Sequence, residues 1–233
     1  MIRVSIVTAI HGRPRELSMF LQNFKKYREA NKRYFHFHLI VAGDSNERTS
    51  YETLQKGLEF YSFIEVQNRP LGNKFNVALQ VAKERNDDYV IVTGSDDLIH
   101  PSLFDKYLKA IHFSYPDFIG VENCFIHNIN TNESLYWNGY KDERKGQSVG
   151  SFRMFSRALC QKLNYEFYRP DANKGLDKSM MLKLSKIEYK TVILRSKKYP
   201  IVALKGDSNI WSFDIFKPLC KSANIDEILK EMI

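Results

Sequence analysis

Apolar residues recur along the first half of the chain in two alternating rhythms. Residues 3–9 form a near-continuous β-branched run that predicts a buried strand, and His11-Gly12-Arg13-Pro14 follows as a turn. Leu17, Phe20, Leu21 and Phe24 then share one face of a helix opened by Pro14, whose fixed φ suits a first helical turn. A second strand is predicted over 37–42, ending in the polar turn formers Gly43-Asp44-Ser45-Asn46. A helix over 51–58 and a short strand over 63–66 come next. Phe75, Ala78, Leu79 and Ala82 mark another helix face. The strand 89–93 stops at Gly94-Ser95-Asp96-Asp97, and Pro101 starts a further helix.

Alternation on this scale predicts right-handed crossovers, hence an α/β fold with a mostly parallel central sheet flanked by helices. Ligands of such a sheet bind outside the carboxyl ends of its strands, here the loops 9–13, 43–46, 68–74 and 94–97. Beyond Pro116 the rhythm changes. Strands over 118–127 and 135–137 flank the turn-rich 128–132 as a hairpin, 200–204 reads as a strand and 226–232 as a short helix. Residues 1–233 read as one domain, with a ligand-binding half over 1–121 and a smaller section over 122–233.

Composition narrows the class. With 233 residues, 43% apolar, 27% charged, 11 Gly and 7 Pro, the chain can bury a core and is neither disordered nor collagen-like. No apolar run approaches the ~20 residues of a membrane span, so no membrane insertion is expected. The opening segment reads as a strand and not as a signal peptide. Cys124, Cys160 and Cys220 contain no Cys-x-x-Cys, which argues against a disulfide framework or a zinc site. A soluble protein of the cytoplasm is the expectation, the host's cytoplasm if a virus encodes it.

Charge is unevenly placed. Residues 141–205 hold 16 Lys and Arg against six Asp and Glu, while the remainder holds 19 against 21, so the whole net charge of +8 comes from one stretch. Such a face either solvates the protein or meets a polyanion: nucleic acid, a diphosphate ligand or an anionic membrane.

Several chemistries are missing. No Gly-x-Gly-x-x-Gly follows the first strand, no nucleoside-triphosphate loop occurs, no His-Glu-x-x-His is present, and no serine lies in a Gly-x-Ser-x-Gly elbow. His36 and His38 share a strand face and read as edge residues. The positive signal is Gly94-Ser95-Asp96-Asp97. Adjacent carboxylates at a strand end can hold Mg²⁺ or Mn²⁺, which bridges ligand phosphates; alternatively Asp97 caps the next helix. Asp44 ends the second strand, where a carboxylate can accept hydrogen bonds from a base or ribose. Asn68-Arg69-Pro70-Leu71-Gly72-Asn73-Lys74-Phe75-Asn76 leads into a helix start that can meet phosphates.

Together these segments resemble the family-2 nucleotide-sugar glycosyltransferases of GT-A fold. The opening strand Val4-Ser5-Ile6-Val7-Thr8 is of the family's type, and Asp44 matches its Asp after the second strand. Asn68, Gly72 and Asn76 match its Asn-x-x-x-Gly-x-x-x-x-Asn segment one residue short. Gly94-Ser95-Asp96 matches the metal-binding Asp-x-Asp with Gly94 in place of the first Asp. Gly150-Ser151-Phe152-Arg153-Met154-Phe155-Ser156-Arg157 resembles the segment lining donor sugar and acceptor. Leu176-Asp177 resembles the Glu-Asp pair that holds the general base, with Leu176 in place of Glu. The resemblance runs from Val4 to about Trp211.

It implies a metal-dependent inverting transfer from a nucleotide donor, a UDP-hexose such as UDP-glucose, with Asp177 as base. The donor site it implies comprises Thr8, Ala9, Arg13, Asp44, Asn68, Gly72, Lys74, Asn76, Ser95, Asp96 and Arg153. The metal falls to Asp96, Asp97 and Asp207, and the acceptor to Ser151, Phe152, Arg157, Lys178 and Trp211. Lys205, Asp207 and Asn209 are candidates to close the donor site, although the same residues suit an ordinary surface turn. Asp177 equally suits a helix start, and Trp137 and Trp211 a core. A nucleotidyltransferase, for which Gly12-Arg13 makes a poor phosphate loop, and a non-catalytic nucleotide-sugar or nucleic-acid binding module remain as rivals.

The basic stretch also shapes the acceptor expectation. It contains Asp177 and interleaves Tyr165, Phe167, Tyr168 and Tyr189 with cations, a composition that suits a phosphate backbone and a displaced base. DNA carrying a hydroxymethylated pyrimidine, modified as by the virus-encoded DNA-base-modifying enzymes, is therefore the expected acceptor. A surface polysaccharide or its lipid-linked precursor is the alternative.

Overall fold

A computed structural model of the chain describes residues 1–54, 60–207, 209 and 211–233. The first half follows the predicted alternation: β1 (Ile2–Ala9), α1 (Pro14–Asn31), β2 (Phe35–Gly43), α2 (Ser45–Leu54), β3 (Tyr61–Glu65), α3 (Leu71–Arg85) and β4 (Tyr89–Val92). Residues 55–58 of the helix expected over 51–58 lie outside the described residues. Then come β5 (Asp97–Ile99), α4 (Leu103–Ser114), β6 (Phe118–Val121), β7 (Cys124–Asn128), β8 (Ser134–Trp137) and β9 (Arg153–Ser156). The chain ends with α5 (Arg157–Lys162), α6 (Leu176–Leu184), β10 (Thr191–Leu194), β11 (Ile201–Lys205), β12 (Lys221–Ala223) and α7 (Asp226–Met232).

Seven strands form the main sheet in the order β10-β6-β9-β4-β1-β2-β3. β1 pairs in parallel with β2 and β4, β2 with β3, and β6 with β10; β9 alone runs against its neighbours. A second sheet, β12-β8-β7-β11-β5, packs on one side. The strand expected over 118–127 divides at Glu122-Asn123. Asn123 is fully buried, and its side chain exchanges two hydrogen bonds with the Ser196 backbone, drawing the chain from the main sheet into the second. β7 and β8 form the expected hairpin. Strands β9 and β10, from the second half of the sequence, complete the main sheet.

The two-residue period of the strands sorts side chains onto two cores. Val4 and Ile6 of β1 and Tyr89 and Ile91 of β4 face α1, α4 and the second sheet. Val7, Ala9, Val90 and Val92 face α3, α5 and α6. Leu17, Phe20, Leu21 and Phe24, the predicted stripe of α1, are all buried, each stabilising the fold by roughly 1.5–3 kcal/mol. Among the described residues no helix is long and apolar enough to cross a membrane.

Candidate active site

Because β1, β2 and β4 are parallel and in register, their carboxyl ends bring Ala9, Asp44 and the 94–97 loop to one rim. Thr8 and Ala9 are buried there, the Thr8 hydroxyl without a hydrogen-bond partner among the described residues. A chain of polar contacts crosses this rim. Asp44 accepts the Glu47 N–H at 3.0 Å through Oδ1 and the Asn68 amide through Oδ2. The Asn68 carbonyl in turn accepts from Lys74 Nζ, which also donates to the Ile10 carbonyl at 2.5 Å. Glu47, which the motif reading passed over, accepts the Gly12 N–H at 2.8 Å and so pins the loop after β1. The Asp44-x-x-Glu47 spacing is a capping-box signature that could have marked it. Ile10, Gly12, Arg13, Glu47 and Ser95 line a cleft of about 210 Å³. Lys74 is only 1% exposed, and burial lowers its ammonium to about 8 against the pull of Glu47 and Asp44.

The 94–97 loop holds the second group. An added Cβ at Gly94 would stand 2.5 Å from Asp96 Oδ1 and 2.8 Å from Asp97 Oδ2, so the two carboxylates converge over this glycine. A side chain at this position would have to push one of them aside. Asp96 Oδ2 receives Arg13 at 2.7 Å and the Asn209 amide at 2.6 Å. Asp97 accepts the Gly94 N–H at 3.0 Å and, at 3.5 Å, the Thr93 hydroxyl, and the nearby Ser151 side chain favours its charged form. Burial, then the neighbouring Asp96 charge, raises Asp97 to about 7. Asp97 therefore closes the 94–97 turn and starts β5; it does not cap the following helix, which begins at Leu103.

Two crowded carboxylates with hard oxygen donors fit Mg²⁺ or Mn²⁺ completed by water and a diphosphate. Asp207 is not brought to them. Its carboxylate accepts the Asn130 amide at 2.8 Å, and no cluster of three acidic, His or Cys ligands forms among the described residues. Asn209, by contrast, reaches Asp96 from the segment expected to close the site.

Asp177 lies in the first turn of α6, with its side chain 43% exposed, and is held by Arg153 Nη1 at 3.0 Å. Arg153 was expected on the donor, but its guanidinium is buried and every nitrogen is engaged by Ser148 or Asp177. The 150–151 segment runs past both carboxylate groups: the Ser151 side chain is close enough to Asp97 to favour its charged form, and the preceding Gly150 packs directly on the Asp177 carboxylate.

Four other expected contacts are structural. Gly72 is a close-packing position, since an added Cβ would stand 2.1 Å from the Arg169 carbonyl oxygen. Asn76 exchanges two hydrogen bonds with the Tyr168 backbone, tying α3 to the segment before α6. Phe152 is fully buried, and its carbonyl accepts from Tyr107. Arg157 pairs with Asp88 at 3.0 Å, at the amino end of β4 and so across the sheet from the rim. Lys178 and Trp211 are exposed, Trp211 by 56%. Tyr165, Phe167 and Tyr168 are buried in the core around α3, α5 and α6 and Tyr189 packs against it, so these rings are not free to stack on a displaced base. Nine lysines of the basic stretch (141, 145, 162, 174, 178, 186, 190, 197 and 198) are exposed.

No protein-family model matches the chain, and no curated protein matches it in sequence. Solved structures do share its fold. S. aureus TarS 1-349 in complex with UDP-GlcNAc is similar at a TM-score of 0.63 and 16% identity, over 90% of this chain and 60% of that one. The mannosyltransferase PcManGT from Pyrobaculum calidifontis, in complex with GDP-Man and Mn²⁺, is similar at 0.59 and 13%, over 87% and 56%. The 4-diphosphocytidyl-2C-methyl-D-erythritol synthase from Anaerococcus prevotii is similar at 0.55 and 11%, over 84% and 88%. The chain thus has the fold of GT-A nucleotide-sugar transferases, and it spans 60% of the length of TarS 1-349.

Proposed function

We propose that the protein transfers a sugar from a nucleotide-sugar donor, a UDP-hexose in the first instance, to an acceptor hydroxyl with inversion at the anomeric carbon. The reading rests on one observation: the 150–151 segment lies along both carboxylate groups, with Gly150 against Asp177 and the Ser151 side chain near enough to Asp97 to favour its charged form. Donor and acceptor chemistry therefore share one rim.

Asp44, Asn68 and Lys74 would hold the nucleoside, with Glu47 ordering the loop that lines the cleft. Arg13, beside the cleft, would meet the diphosphate. Asp96 and Asp97 would hold a divalent cation, which when bound neutralises the departing diphosphate. Asp177 would accept the proton of the acceptor hydroxyl as its oxygen bonds the anomeric carbon and the sugar–phosphate bond breaks, releasing a nucleoside diphosphate. A nucleotidyltransferase shares the fold, but the loop after β1 here carries a single glycine, Gly12, and no Gly-rich basic run.

For the acceptor we keep DNA carrying a hydroxymethylated pyrimidine as the first substrate to test. The exposed lysines support it, and the buried aromatics withdraw the stacking argument. A surface polysaccharide or lipid-linked glycan is the alternative. The test uses labelled UDP-glucose and UDP-GlcNAc with 5-hydroxymethylcytosine duplex, Mn²⁺ and low salt. Label on the modified duplex and none on the unmodified one is expected, with the product's anomeric configuration inverted by NMR. Failure to bind or label DNA would remove this acceptor, and a retained configuration would remove the base role of Asp177.

A further inference from the structure

Arg153, the first residue of β9, is one of the largest fully buried side chains in the protein, at 1% exposure. A buried guanidinium needs a compensating charge and partners for its donors. Nε donates to Ser148 Oγ at 2.9 Å, Nη2 to the Ser148 carbonyl at 2.8 Å and Nη1 to Asp177 Oδ1 at 3.0 Å. Asp177 is the only carboxylate paired with it among the described residues. The charge is thus spent on fixing one side chain from inside the fold.

Gly150 completes the cradle. Its φ lies outside the left-handed region, so glycine is not required there by the backbone. A side chain there would displace the carboxylate: an added Cβ would stand 2.7 Å from Asp177 Oδ1 and 2.6 Å from Oδ2. Oδ1 is taken by Arg153, and among the described residues no hydrogen bond reaches Oδ2. The side chain is nevertheless open to solvent at its other face.

We infer that Arg153 and Gly150 are positioning residues: they hold the Asp177 carboxylate in one orientation, with Oδ1 anchored and Oδ2 presented to the acceptor hydroxyl. This rests on the reading of Asp177 as base. Misplacing a reacting group by about an ångström costs on the order of a hundredfold in rate. Positioning lost without loss of donor contacts lowers kcat and leaves donor affinity alone.

The experiment measures release of nucleoside diphosphate from UDP-glucose, UDP-GlcNAc and GDP-mannose with Mn²⁺, together with donor affinity and thermal stability. Variants are Asp177→Asn, Gly150→Ala, Arg153→Met and Arg153→Lys. Gly150→Ala should lower kcat at least tenfold, with donor affinity within about twofold of wild type. Arg153→Met should do the same, and Arg153→Lys, which keeps the charge but loses the Ser148 contacts, should recover part of the loss. Should Arg153→Met fail to fold, Gly150→Ala and Arg153→Lys carry the comparison. If Asp177→Asn abolishes turnover while folded Gly150→Ala and Arg153→Lys keep wild-type kcat, positioning is wrong and the base assignment stands. If Asp177→Asn itself keeps wild-type turnover, the base assignment falls and the inference with it. A wild type that turns over none of the three donors also overturns it.

Discussion

Replacing Lys74 by methionine tests whether the nucleoside side of the cleft carries a cation held at a cost. The ammonium is almost wholly buried, and it has two acceptors, the Ile10 carbonyl and Asn68 Oδ1. Burial brings it from 10.5 to about 8, a gap equivalent to roughly 3 kcal/mol. Folded Lys74 loses its proton near pH 8 and the unfolded chain near 10.5, so between these values the unfolded chain binds the extra proton. Stability from this group therefore rises with pH across the window, and below pH 8 the full penalty applies. Lys74→Met removes the penalty at every pH. It also leaves two acceptors without their donor, a cost of roughly 1–3 kcal/mol each that does not vary with pH. The stability of wild type relative to Lys74→Met should accordingly improve by roughly 2 kcal/mol from pH 7 to pH 10. Urea unfolding of both proteins at the two pH values, followed by circular dichroism, measures this. UDP affinity by calorimetry should fall in the wild type as pH rises through about 8, and be weak and flat in the variant. A stability difference identical at pH 7 and pH 10 would refute the buried-cation account.

Other perturbations follow from the same geometry. Asp96→Ala should cut turnover about a hundredfold, equivalent to about 3 kcal/mol, and EDTA should do the same to the wild type but little more to the variant; wild-type turnover indifferent to EDTA would contradict the metal assignment. Gly72→Ala drives a methyl group into the Arg169 carbonyl and should lower stability by roughly 2 kcal/mol or more, read as a shifted denaturation midpoint. Arg157→Ala removes a half-exposed pair with Asp88 and should cost no more than about 1 kcal/mol, with turnover unchanged. Lys178, Lys197 and Lys198 changed together to Glu should weaken binding to duplex DNA and flatten its salt dependence, measured by fluorescence anisotropy; an unchanged slope would place the polyanion elsewhere.

The rim was legible because strand and helix periods are local properties. The run 3–9, the α1 stripe and the polar stop at 94–97 each announce their structure within a few residues, and parallel pairing then places Ala9, Asp44 and Asp96 together. What the sequence concealed depends on distant partners. An arginine in a motif-like segment reads as a ligand contact, yet Arg153 turns inward because Ser148 and Asp177 receive it. Asn76 and Gly72 fit the motif but serve the 168–172 segment, nearly a hundred residues away. Tyr165, Phe167 and Tyr168 alternate with cations along the chain, but in space they face the core around α3. Short strands such as β5 and β12, three residues each, carry too little periodicity to be seen.

Sugar transfer with Asp177 as base is tested most directly by one comparison: nucleoside diphosphate release from UDP-glucose, UDP-GlcNAc and GDP-mannose by the wild type and by Asp177→Asn, with donor binding measured on both. Turnover of at least one donor by the wild type is expected. Asp177→Asn should bind that donor with wild-type affinity and release its nucleotide at least a hundredfold more slowly. A wild type that binds none of these donors, or an Asp177→Asn protein as active as the wild type, would contradict it.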